Sequence, residues 1–92
     1  PRSPLFMLGR EQLIAMAKDK SSVVLCFDGL PDGLIGITTL KDAPLYAKQL
    51  YAHMRTLDKY HAEQILIEQI PENSEWLAIA DILKRAISGS GK

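Results

Sequence analysis

The amino-acid sequence predicts an α/β layer fold with about four mostly parallel strands and three helices. Three observations predict it. The runs Val23-Val24-Leu25-Cys26-Phe27 and Ile65-Leu66-Ile67 are apolar without alternation, as strands covered on both faces are. Longer stretches with apolar residues at helical spacing fall between and after them. Turn chemistry at Gly9, Asp28 to Gly33 and Pro71 separates the two kinds of segment.

Leu5-Phe6-Met7-Leu8 follows two prolines, ends at Gly9 and reads as the first strand. A helix is expected from Arg10 to about Lys20, with Leu13, Ile14, Met16 and Ala17 inward and Glu11, Lys18 and Asp19 in water. Val23 to Phe27 is the second strand. Asp28-Gly29 and Pro31-Asp32-Gly33 then lead into a weaker strand from Leu34 to Thr39. That connection is short for a parallel crossover, which makes the third strand either antiparallel or peripheral.

Asp42 is placed as an N-cap and Pro44 fits a first helical turn, so a long helix is expected from Ala43 to about Tyr60. On a helical projection Ala47, Leu50, Tyr51, Met54 and Leu57 share one side, and Lys48, Arg55 and Lys59 lie opposite. Ile65 to Ile67 is the next strand, stopped by Pro71. Asn73 or Ser74 caps a last helix whose Trp76, Ala80, Leu83 and Ile87 recur at spacings of four, three and four.

Residues 1–92 make one domain with a modest core, because a chain of this size buries only about 60–65% of the surface its unfolded form exposes. Residues 1–4 read as the end of an interdomain linker and 88–92 as a flexible tail. Eleven basic residues balance eleven acidic ones, so no field of one sign attracts a nucleic acid or an anionic membrane. This argues against contact with a nucleic acid by the domain alone. No apolar run reaches the length of a membrane span. Cys26, the one cysteine, sits in an apolar strand as a small hydrophobe, which suits a reducing, cytoplasmic setting.

Little here points to catalysis. His53 and His61 lack a carboxylate at a metal-ligand spacing, so no metal site is expected. Ser21 and Ser22 precede a strand outside any nucleophile elbow. Gly29, Gly33 and Gly36 do not form a phosphate-binding fingerprint and serve a turn. Asp28, Gly29, Lys41 and Asp42 fall just beyond the carboxyl ends of strands, where open α/β sheets bind ligands, and are the weak ligand candidates. Arg55 and Asp58, three apart at the rim of the long helix, are candidates for a structural clamp or an interdomain contact. Leu77 and Ile82 flank the apolar face of the last helix and are candidates for a surface on which a neighbouring domain packs.

The helix Tyr46-Ala47-Lys48-Gln49-Leu50-Tyr51-Ala52-His53-Met54-Arg55-Thr56-Leu57-Asp58 is similar to one in the C-terminal domain of long-form threonylcarbamoyl-AMP synthases, which reads roughly Tyr-Ala-x-x-Leu-Tyr-x-x-Leu-Arg-x-Leu-Asp. A strand like Ile65-Leu66-Ile67-Glu68 and a Pro-x-x-x-x-Trp helix ending Leu-x-Arg-Ala follow, as Pro71 to Ala86 does here. Asp81-Ile82-Leu83 departs from the family's common Asn-Arg-Leu. The resemblance is good from Asp42 to Ala86 and weaker before it, where the segment between the second and third strands is short.

The resemblance implies a small Rossmann-like accessory domain without catalytic residues. It implies a parent enzyme, an L-threonylcarbamoyladenylate synthase, that condenses L-threonine, bicarbonate or CO2, and ATP (with Mg) for tRNA threonylcarbamoyladenosine modification. In that family the chemistry belongs to a larger N-terminal domain. The domain read here would need no cofactor, and its partners would be that catalytic domain and the linker of the same chain; its balanced charge argues against direct tRNA contact. The alternative is a small independent α/β ligand-binding or regulatory module.

Overall fold

A computed structural model describes residues 2–91. Four strands, β1 (Leu5–Leu8), β2 (Ser22–Phe27), β3 (Gly36–Thr39) and β4 (Gln64–Glu68), form one sheet in the order β1-β4-β2-β3. Every neighbouring pair is parallel. Three helices, α1 (Arg10–Ala17), α2 (Ala43–Asp58) and α3 (Leu77–Ser88), cover it.

Chain direction explains which face each helix takes. From β1 the chain crosses over β4 to β2, and from β3 it crosses back over β2 to β4. Parallel crossovers are right-handed, so moves in opposite directions along a sheet place their helices on opposite faces. Accordingly α1 packs with Val24, Cys26 and Leu66 on one face. On the other, α2 and α3 enclose Leu5, Val23, Leu25, Phe27, Ile65 and Ile67. Both faces are covered, which is why residues 23–27 in β2 and 65–67 in β4 are apolar without a break.

The third strand is peripheral, as one of the two expected forms, and it is parallel to β2 rather than antiparallel. Its pairing runs only from Val24↔Gly36 to Phe27↔Thr39, so the returning chain needs to cover about 10 Å. An eight-residue loop does that without a helix. Asp28 (φ 56) and Gly29 (φ 98) turn the chain out of β2, and Gly33 (φ 79) turns it back under a Leu34 N–H to Pro31 O bond of 3.1 Å. Gly36 meets a harder constraint. A Cβ there would lie 1.9 Å from the Val24 carbonyl oxygen, so only glycine lets β3 come this close.

Both α1 and α2 end earlier than their patterns imply, with Lys18 and Lys59 as C-caps. Asp42 caps α2 as expected, its Oδ1 accepting from Leu45 N–H at 3.1 Å. The buried face of α2 is Ala43, Tyr46, Leu50 and Leu57, and Tyr51 is 63% exposed instead of facing the core. Tyr46 meets Phe27 at a tilt and Trp76 edge-on in an aromatic trio, with ring centroids 5.1–6.0 Å apart. Asn73 accepts from Glu75 N–H and starts a 3₁₀ turn over Ser74–Trp76 that hands on to α3. In α3 the fully buried residues are Ile79 and Leu83, with Ala80 and Ile87 beside them. Ile79 takes the central place the spacing had given to Ala80.

Candidate functional site

In open parallel sheets a ligand crevice opens where neighbouring strands send the chain to opposite faces. Here that place lies between the carboxyl ends of β1 and β4, since β1 leads to α1 and β4 to α3. The chain fills it with its own ion pair. Arg10, the first residue of α1, sends Nη1 to Glu68 Oε1 (3.2 Å) and to Phe27 O (2.9 Å), and Nη2 to Gly29 O (2.9 Å). The same Glu68 oxygen accepts Phe27 N–H at 2.9 Å.

Glu68 is only 13% exposed, so its carboxylate is partly desolvated and held by two donors. Such charge-assisted bonds are stronger than neutral ones. They tie the ends of β2 and β4 and the start of α1 into one unit. Beneath them Cys26 places its Sγ 3.4 Å from Gly29 O, and burial pushes its thiol pKa up. The nucleophilic thiolate is thereby disfavoured.

The four ligand candidates are drawn into this local architecture in different ways. Gly29 gives its carbonyl to Arg10, and Asp42 gives its carboxylate to the α2 cap. Asp28 and Lys41 meet at 3.8 Å, and Asp28 is 80% exposed, so their attraction is weak. Lys41 Nζ also lies 5.4 Å from the centre of the Phe27 ring. The connection between β1 and α1 is Gly9 alone, too short to cradle a nucleotide's phosphates. Among the described residues no group of three or more His, Cys, Asp or Glu is placed to hold a metal ion, and no helix is long and apolar enough to cross a membrane.

At the far end of α2, Arg55 and Asp58 do not pair with each other within 4 Å among the described residues. Asp58 Oδ1 instead accepts the backbone N–H of Arg2 at 3.1 Å. Beside it the buried Ser3 donates its hydroxyl to Ala62 O at 2.6 Å, and Ile65 N–H reaches Pro4 O at 2.8 Å. The incoming chain is therefore strapped along the end of α2 before it becomes β1. Ser90 completes the strap, accepting Leu5 N–H at 3.0 Å and donating to Ile87 O at 2.7 Å. Arg2, Arg55, Asp58, Lys59 and His61 line an open groove of about 420 Å³ at this end.

Leu77 and Ile82 separate. Leu77 is 68% exposed beside a groove of about 430 Å³ formed with Ile70, Pro71, Trp76 and Ala80. Ile82 is half-buried and packs against the main core. Asp81, where the compared family has Asn, forms an ion pair with Arg85 one turn on.

Three contributors were not singled out from the sequence as site or anchoring residues. Arg10 and Glu68 meet across a separation of 58 residues, and Ser3 joins Ala62 across 59. The signal at Glu68 was a carboxylate ending an otherwise apolar strand. For Arg10 and Ser3 the sequence carried none.

A family model described as threonylcarbamoyl-AMP synthase, C-terminal domain, matches residues 1–88. Comparisons with curated proteins and with solved structures found no match.

Proposed function

Since the chain belongs to the family of threonylcarbamoyl-AMP synthase C-terminal domains, we propose that it is the non-catalytic accessory domain of such a synthase. It acts by packing on an N-terminal catalytic domain and by fixing where the interdomain linker begins. The parent joins L-threonine, bicarbonate or CO2, and ATP into threonylcarbamoyl-AMP for tRNA modification in the cytoplasm. ATP and its Mg belong to the catalytic domain.

The observation that carries this reading is the crevice at β1 and β4. Its polar groups bind one another, through Arg10, Glu68, Phe27 and Gly29, so it offers no set of free donors for three substrates. The strap of Arg2 and Ser3 onto Asp58 and Ala62 supports the linker role, because it sets the direction from which the chain arrives. Arg55 and Leu77 are the exposed residues near which we place contact with the rest of the enzyme. An independent ligand-binding module would need an open crevice at this point.

The purified 92-residue chain, given L-threonine, bicarbonate, ATP and Mg, is expected to form no threonylcarbamoyl-AMP and release no pyrophosphate above blank. Product formation that scales with protein concentration overturns the reading.

A further inference from the structure

Arg2, Arg55, Lys59 and His61 line the open groove of about 420 Å³ at the end of α2, and Asp58 is the carboxylate among them. They come from three segments: Arg2 from the strap, Arg55 and Lys59 from the last turn and cap of α2, and His61 from the turn that follows. The backbone beneath them is fixed. Arg2 N–H binds Asp58 Oδ1 and Ser3 binds Ala62 O. Tyr60 N–H binds Leu57 O and His61 N–H binds Asp58 O, both at 3.2 Å, with His61 in a left-handed conformation (φ 53). Tertiary structure, and not helical spacing alone, brings these side chains together.

Ion pairing sets this place apart from the rest of the surface. The chain has four arginines, and two are matched, Arg10 with Glu68 and Arg85 with Asp81. The other two, Arg2 and Arg55, have no carboxylate within 4 Å among the described residues, nor does Lys59, and all three line this groove. Glu63, the next carboxylate along the chain, is not in the lining.

The helix does not use up this charge. The carbonyl end of α2 carries about half a negative charge, which accounts for a cation such as Arg55 or Lys59 near it. Asp58 adds a full one. Against three permanent positive charges this leaves an excess of roughly one and a half in a molecule whose formal net charge is zero.

A phosphoryl group fits that excess better than a single carboxylate, because it carries more charge and presents its oxygens in several directions. Arginine binds phosphate through paired N–H donors, lysine supplies a point charge, and a histidine ring offers an N–H in either protonation state. Beside the groove, Tyr51 and Met54 share a smaller hollow of about 150 Å³ with Arg55 and Asp58. Tyr51 is 63% exposed there, a ring on which a base could stack.

We infer that Arg2, Arg55, Lys59 and His61 form a binding site for a phosphoryl anion, free or carried on a nucleotide. Asp58 holds the strap that positions Arg2 and moderates the charge. The site uses this chain alone, so it holds or fails independently of the accessory-domain reading.

The test is to follow the backbone amide resonances of the 92-residue chain, acetylated at its first residue so that no terminal amine contributes, during titration with sodium pyrophosphate. Sodium chloride at matched ionic strength is the control. A saturable shift is expected at the amides of Arg2, Lys59, Tyr60 and His61, with a Kd on the order of 1 mM because the groove is open to water. Arg55→Gln and Lys59→Gln each weaken binding by about three- to fivefold. Asp58→Asn, which keeps an acceptor for the Arg2 amide, tightens it by a similar factor. Unchanged melting midpoints show that the variants keep the fold. ADP in place of pyrophosphate separates the two sources: Tyr51→Ala weakens ADP alone if the anion is a nucleotide's, and neither ligand if it is free, and both results support the site. Shifts that chloride reproduces, or that Arg55→Gln and Lys59→Gln leave unaltered, overturn the inference. Tighter binding of a hexaglutamate peptide than of pyrophosphate makes the occupant an acidic protein segment and also overturns it.

Discussion

The crevice at β1 and β4 and the outer edge of β3 lie in one sheet but are treated in opposite ways. At the crevice, one oxygen of Glu68 takes two donors and Arg10 reaches three acceptors. At the edge, Gly36 and Thr38 have no partner strand on their outer side among the described residues. The usual ligand-binding position of this architecture has thus been closed by the chain itself. That closure supports the accessory role proposed above.

The largest expected effect comes from the edge. Gly36→Ala puts a methyl group into the Val24 carbonyl, and since backbone cannot rotate away, β3 must shift off β2. A loss of about 3 kcal/mol or more is expected in denaturant melts. If Gly36→Ala were neutral, the close approach of β3 to β2 would be refuted.

The crevice comes next. Glu68→Ala leaves the Phe27 amide without its acceptor and removes one of the two bonds of Arg10 Nη1, which keeps Phe27 O, and should cost about 2–3 kcal/mol. Glu68→Gln, which keeps an acceptor, should cost visibly less. Equal losses for the two variants would show that the carboxylate's place in the crevice is packing, not bonding.

How much of this was legible in the sequence follows from the range of the interactions. β1, β2 and β4 matched their apolar runs to within about a residue, because burial on both faces writes itself into consecutive positions. The start of α2 was readable from Asp42 and Pro44, a local signal. Tyr46 was separable from Tyr51, since it lies about 40° from Leu50 on a helical projection and Tyr51 about 100°; the expected face was drawn too far toward Tyr51, and the Phe27 ring packs on Tyr46. The direction of β3 depended on a loop whose positive-φ residues let eight positions do what a helix usually does. The crevice itself was invisible, because Arg10, Phe27 and Glu68 meet only once the strands are paired.

A smaller test concerns pH. Burial pushes the Tyr46 hydroxyl pKa well above its ordinary 10, with the charge of Glu68 adding to it, and that hydroxyl has no hydrogen-bond partner among the described residues. The folded protein then keeps its proton while the unfolded chain gives it up, so stability falls as pH rises past 10. Tyr46→Phe should flatten that alkaline decline and leave stability at neutral pH unchanged or raised by up to about 1 kcal/mol. On the acid side, burial lowers the pKa of His53 below 6.5. The unfolded chain then binds the proton first, so stability declines as pH drops through 6.5 toward the folded value, and His53→Gln should remove that component. Unfolding midpoints measured across both ranges check the two signs.

The smallest effect is expected at the strap. Asp58→Ala removes one exposed hydrogen bond to the Arg2 amide and should destabilise the chain by about 0.5–1 kcal/mol. Thermal melts of the short chain read it directly. No change here, together with reduced activity of the longer enzyme, would move Asp58 from holding the strap to contacting the catalytic domain.

The closed crevice is tested most directly by titrating the chain with ATP and Mg and following backbone amide resonances. The account predicts that the amides of Arg10, Phe27, Gly29 and Glu68 stay in place up to millimolar nucleotide, with Glu68→Gln giving the same flat response. A saturable shift centred on those residues would contradict it.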